Sequence, residues 1–100
     1  MPLSESVSFK AVLRRGNRVQ VPRLFRWQHR MEPGQVLRVW VSVEGSVGEE
    51  RFLASMTEDG RLTIPKLTVK LLQEGTEESL EGAVLKVTIE PAEDLSEIQR

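Results

Sequence analysis

One stretch of this chain occurs twice, and that repetition constrains its fold more than any other feature. Phe9-Lys10-Ala11-Val12-Leu13, a turn at Gly16-Asn17, and Arg18-Val19-Gln20-Val21-Pro22-Arg23-Leu24 return 43 positions later. The second copy reads Phe52-Leu53-Ala54-Ser55-Met56, a turn at Asp59-Gly60, and Arg61-Leu62-Thr63-Ile64-Pro65-Lys66-Leu67. Phe, Ala, Arg, Pro and Leu recur at the same five places, and Leu13/Met56, Val19/Leu62 and Val21/Ile64 match in kind. A second echo, Gly34 to Val41 against Gly82 to Ile89, is offset by 48, so the second copy carries five extra residues between Gln73 and Leu80. The chain is thus two copies of one strand-turn-strand-helix-strand unit. A unit of about 45 residues buries too little apolar surface to stand alone, so the two must share one core.

Within the first unit, Val7, Phe9, Ala11 and Leu13 alternate with Ser8 and Lys10 as a half-buried strand does, Val12 breaking the pattern. Gly16 and Asn17 tolerate positive φ and let the chain reverse, fanning Arg14, Arg15 and Arg18 around a tight turn. The next strand is short because Pro22 cannot donate to a ladder, and Pro22 suits the first turn of a helix. Leu24, Trp27 and Met31 then fall at helical spacing and are expected to face the core, with Arg23, Arg26 and Arg30 on neighbouring faces. Pro33-Gly34 stops that helix, and Leu37, Val39, Val41 and Val43 resume the strand alternation with Trp40 on the other face. The second unit has a helix without a clean stripe, an inserted loop at 75–79, a last strand from Val84 to Ile89, and a tail in which Leu95 and Ile98 stand at helical spacing. The expected organisation is one domain: repeat one at 7–43, a linker at 44–50, repeat two at 51–90 and a tail at 91–100.

A formal net charge of −1 hides an opposition between halves. Residues 1–40 hold eight Lys/Arg against two carboxylates, whereas residues 41–100 hold six against thirteen. Such a split points to a polyanion-binding face. Arg outnumbers Lys ten to four, which is compatible with a thermophilic source. The absence of cysteine removes disulfides, thiol nucleophiles and Cys-ligated metals from consideration. No apolar run is long enough to span a bilayer and the polar start does not read as a secretory signal, so the expectation is a soluble cytoplasmic protein.

Catalysis finds little footing. His29 is the single histidine and sits between arginines, while Ser42 and Ser55 lie in strands with no identifiable base. There is no P-loop, and Glu77, Glu78 and Glu81 read as solvated loop carboxylates rather than a cation site. No enzyme activity, metal or cofactor is expected.

The run Asp59-Gly60-Arg61-Leu62-Thr63-Ile64-Pro65 nearly matches the Gly-Arg-x-x-Ile-Pro signature of AbrB/SpoVT-like DNA-binding domains, and Gly16 to Pro22 is a looser copy. Glu32 to Val39 resembles the post-helix Gly-Asp box of that family, with Gln35 and Ala83 in place of the Asp. The resemblance spans roughly residues 7–90. It implies a mainly β fold, a six-stranded closed cradle-loop barrel made of two ββαβ repeats. The RIFT type, as in small archaeal relatives, is favoured, and a double-psi or a single-chain swapped-hairpin barrel is the alternative. It also implies that Arg14, Arg15, Arg18, Arg23, Arg26 and Arg30 contact double-stranded DNA, as the corresponding turn and helix arginines do in a transcriptional regulator of the family. Guanidinium groups suit both phosphates and guanine edges. In the second copy Thr57, Glu58 and Asp59 replace Arg14, Arg15 and Gly16, which reads as a structural half retaining Arg61, Lys66 and Lys70. The alternative function is an antitoxin-like interaction module using the acidic second half and tail. A homodimer would pair two basic faces.

Overall fold

The computed structural model describes residues 6–73 and 78–92. The inserted loop's centre, Glu77 and the tail with Leu95 and Ile98 lie outside those residues. Strands form where the alternation predicts them: β1 (Val7–Val12), β2 (Arg18–Gln20), β3 (Val36–Val43), β4 (Glu49–Ser55), β5 (Arg61–Thr63) and β6 (Val84–Pro91). Two short helices, α1 (Arg23–Gln28) and α2 (Lys66–Leu72), follow Pro22 and Pro65. The order is ββαβ twice. Among the described residues no helix is long and apolar enough to cross a membrane.

The expected closed barrel is not what these strands build. They form two separate antiparallel sheets, one of four strands in the order β1-β6-β3-β4 and one a ribbon of β2 with β5. The reason is local. β2 and β5 are three residues each, and the prolines that follow lack the N–H a longer ladder would use. What joins β2 to β1 is an isolated bridge between Arg14 and Arg18.

The register obeys the sequence repeat. In the β3–β6 ladder Trp40 lies opposite Thr88, its own equivalent, and in the β2–β5 ribbon Val19 lies opposite Leu62, again its own equivalent. Both pairs therefore sit on one internal pseudo-twofold axis. Hydrogen bonds come in matched pairs as well: Val21 N–H to Gly60 C=O and Ile64 N–H to Asn17 C=O, each 2.8 Å. Likewise Gly82 N–H reaches Leu13 C=O at 2.8 Å and Gly34 N–H reaches Met56 C=O at 3.1 Å.

Among the described residues fourteen buried apolar side chains form the core, and twelve of them are six equivalent pairs, among them Leu37/Leu85, Val39/Val87 and Val41/Ile89. The last two, Val69 and Leu72, belong to α2. At the equivalent places α1 carries Arg26 and His29, and it buries nothing. The expected inward stripe is therefore corrected: Leu24 is 70% and Trp27 78% exposed. Six residues are fewer than two turns, and Phe25 turns inward instead, together with Met31, the member of the stripe that does pack against the core. The Phe25 ring meets Phe9 edge-on at 5.2 Å and His29 at 4.6 Å. Trp40, on the outer face of β3, is half-buried beneath the Arg38 guanidinium at 5.8 Å.

This arrangement separates two leucines that periodicity alone would treat alike. Leu62→Ala, at the fully buried axis position, should cost about 2–5 kcal/mol. Leu24→Ala should stay within about 0.5 kcal/mol of wild type. Urea unfolding of the two variants measures both, and equal losses would mean that α1 packs inward after all.

Candidate nucleic-acid interface

The first turn closes as its residues dictate. Arg14 and Arg18 exchange backbone bonds of 2.8 and 3.4 Å, while Gly16 (φ 79°) and Asn17 (φ 59°) take the left-handed conformations that reverse the chain. In the ribbon that follows only Val19 and Leu62 point inward, so Arg18 and Gln20 of β2 and Arg61 and Thr63 of β5 share the outer face. Gln20 is opposite Arg61 and Arg18 opposite Thr63, which sets the two arginines diagonally across the pseudo-twofold axis. Arg14, Arg15, Arg18 and Arg61 consequently line one open groove of about 540 Å³, with Val19, Gln20 and Glu81.

Sequence reasoning assigned Arg14, Arg15 and Arg18 to this place but left Arg61 to a structural half. The signal was available, because Arg61 is the repeat's equivalent of Arg18. Arg23, Arg26 and Arg30 do not join this groove. They line two further grooves around Trp27 on α1. The six predicted arginines are thus grouped three and three.

The electrostatics of the two repeats differ more than their backbones. Lys10 pairs with Glu44, Arg38 with Glu90 across the β3–β6 ladder, and Arg61 with Asp59 at 3.4 Å. None of Arg14, Arg15, Arg18, Arg23, Arg26 and Arg30 forms an ion pair among the described residues. The second turn spends its polar groups on itself: the Thr57 hydroxyl donates to the Asp59 carboxylate and accepts the Arg61 N–H at 3.0 Å. Gln20 Nε2 donates to the Asp59 carbonyl at 2.8 Å and ties that turn to β2.

Two features of α1 run against its own stability. The helix ends in a Schellman motif, with Met31 N–H bonded to Arg26 C=O at 2.9 Å and Arg30 N–H to Trp27 C=O at 3.3 Å. The left-handed position in that motif usually belongs to glycine, yet Arg30 occupies it at φ 53°. Arg26 lies against the second turn so closely that a Cβ on Gly60 (φ 84°) would come within 2.4 Å of its guanidinium carbon. Its Nε is buried there without a hydrogen-bond partner. Glycine is required at position 60 both by conformation and by this approach.

Among the described residues no group of His, Asp and Glu could hold a metal ion. Glu81 stands on the rim of the arginine groove.

The Thr57 hydroxyl bond holds the Asp59 carboxyl below the ordinary aspartate value; desolvation opposes it, and the charges of Arg61 and Arg18 reinforce it to a lesser degree. A folded-state pKa below the unfolded one means that ionised Asp59 favours the fold above the ordinary aspartate range, a contribution lost as pH falls through the folded value. Thr57→Val should move the Asp59 titration midpoint upward in an NMR pH series. An unchanged midpoint would remove the hydroxyl as the main cause.

No protein-family model matches the chain, and no curated protein matches it. Its fold is similar to that in the solution structure of PHS018 from Pyrococcus horikoshii, with a TM-score of 0.64 and 22% identity over 91% of this chain and 94% of that one.

Proposed function

We propose that this chain is a relative of the AbrB/SpoVT-like domains and binds duplex DNA through the arginines of its first repeat. Arg14, Arg15 and Arg18 act from the turn groove, joined by Arg61, and Arg23, Arg26 and Arg30 act from α1. The observation that supports this most is the lack of neutralisation. In a chain with more acidic than basic residues, none of those six arginines forms an ion pair with a carboxylate of the described residues, while Lys10, Arg38 and Arg61 do. A local cationic face on a chain of net charge −1 is what phosphate binding by position, rather than by bulk charge, requires. The left-handed Arg30 and the unpaired Arg26 Nε add to this, since both cost stability that a glycine or an apolar residue would not.

Duplex affinity should fall steeply with salt. Seven neutralised phosphates give a log–log slope of roughly −6, and replacing Arg14, Arg15 and Arg18 together by Ala should flatten it by about 3. Arg30→Gly should weaken binding while raising stability by about 1 kcal/mol, since it relieves the left-handed position. Fluorescence anisotropy across a salt series reads the slope. A slope near zero, or one indifferent to the triple replacement, contradicts the proposal.

A further inference from the structure

Trp27 is the most exposed aromatic side chain that the fold leaves in a cationic setting. With 78% of its surface open, on a helix that buries nothing, its indole contributes no packing to the core. It forms the shared wall, with Arg26 and Met31, between two grooves of about 220 and 550 Å³. One leads to Arg23 and also carries Glu58, and the other leads to Arg30 and also carries Glu32. The indole thus stands between guanidinium groups on either side. That is the layout a nucleotide strand fits, with a base lying on the ring and the phosphates before and after it lying in the two grooves.

We infer that Trp27 is a base-stacking residue and that α1 takes an unpaired nucleotide, so that DNA with an unpaired segment is the preferred ligand. The inference rests on the nucleic-acid reading above and narrows it. In an intact duplex the base faces are already stacked on one another and closed to an indole. An unpaired base offers its face to the ring, while its backbone keeps the charge that Arg23 and Arg30 match. A second copy of this chain is a poorer occupant. A twofold contact centred on Trp27 would bring Arg23, Arg26 and Arg30 up against their own copies, three cations a side against the two carboxylates of those grooves.

The test uses a Trp40→Phe background, in which Trp27 is the sole tryptophan of the two to emit. Three probes are titrated: a blunt duplex, the same duplex with a central run of unpaired thymidines, and heparin, a polyanion without bases. Trp27 emission should be quenched by the interrupted duplex and not by the other two. Trp27→Ala should weaken binding of the interrupted duplex by about 5- to 150-fold, the range of one base–aromatic stack, and leave the blunt duplex unchanged. Trp27→Phe, which keeps an aromatic face, should retain most of the affinity. Equal affinity of wild type and Trp27→Ala for the interrupted duplex, or equal quenching by heparin, would overturn the stacking role while leaving the turn arginines as the duplex site. Sedimentation showing a wild-type dimer that Trp27→Ala dissociates would give the indole to a second copy instead. Failure of both DNA probes to bind would overturn the inference together with the reading beneath it.

Discussion

Antiparallel pairing of β3 with β6 is the interaction on which the rest of the structure depends. Each strand comes from a different repeat, and together they supply Leu37, Val39, Val41, Leu85, Val87 and Ile89, all essentially inaccessible to solvent. Burying each such side chain contributes about 1.5–3 kcal/mol before entropy is set against it. Neither repeat can gather that much by itself, so the ladder converts two insufficient halves into one core. Its outer face is finished by the Arg38–Glu90 pair, by Arg38 over Trp40, and by the 2.8 Å bond between the Ser8 and Thr88 hydroxyls.

Because the two halves meet about a twofold axis, the frame presents every position twice, and chemistry enters where the copies differ. α2 spends its place on Val69 and Leu72 and becomes part of the core. α1 has Arg26 and His29 there, so its apolar residues Leu24 and Trp27 are left outside, and its arginines form no ion pair among the described residues. The turns diverge in the same sense. The Thr57/Asp59 turn closes on its own hydroxyl and carboxylate, whereas the Arg14–Arg18 turn offers its charges outward. A symmetric scaffold thereby acquires one turn that satisfies its own polar groups and one that offers its cations outward.

Much of the frame was legible in the sequence because repetition doubles the information on each strand. Twelve of the fourteen core residues lie at positions the two offsets match, so one copy checked the other. Closure was not legible, since it depends on whether three-residue strands ended by Pro22 and Pro65 can pair on both edges, and alternation says nothing of that. The facing of α1 was misread for a related reason. Leu24, Trp27 and Met31 fit a helical stripe, but three points in a helix that stops at Gln28 do not distinguish an inward face from an outward one. The comparison that does distinguish them is Arg26 against Val69 and His29 against Leu72, where the repeat itself shows that α1 lost its buried anchors. Arg61 was missed at the groove because charge was counted by half, whereas the ribbon brings both halves to one face.

The central claim is that the arginines are unequal, those lining the turn groove and the grooves of α1 being available to phosphate and those of the four-stranded sheet not. Its most direct measurement is an NMR titration of the arginine Nε–Hε signals with a short DNA duplex. The account predicts shifts at Arg14, Arg15, Arg18, Arg23, Arg26, Arg30 and Arg61, with Arg38 of β3 and Arg51 of β4, which line none of those grooves, unmoved. Shifts of similar size at every arginine, or confined to Arg38 and Arg51, would contradict it.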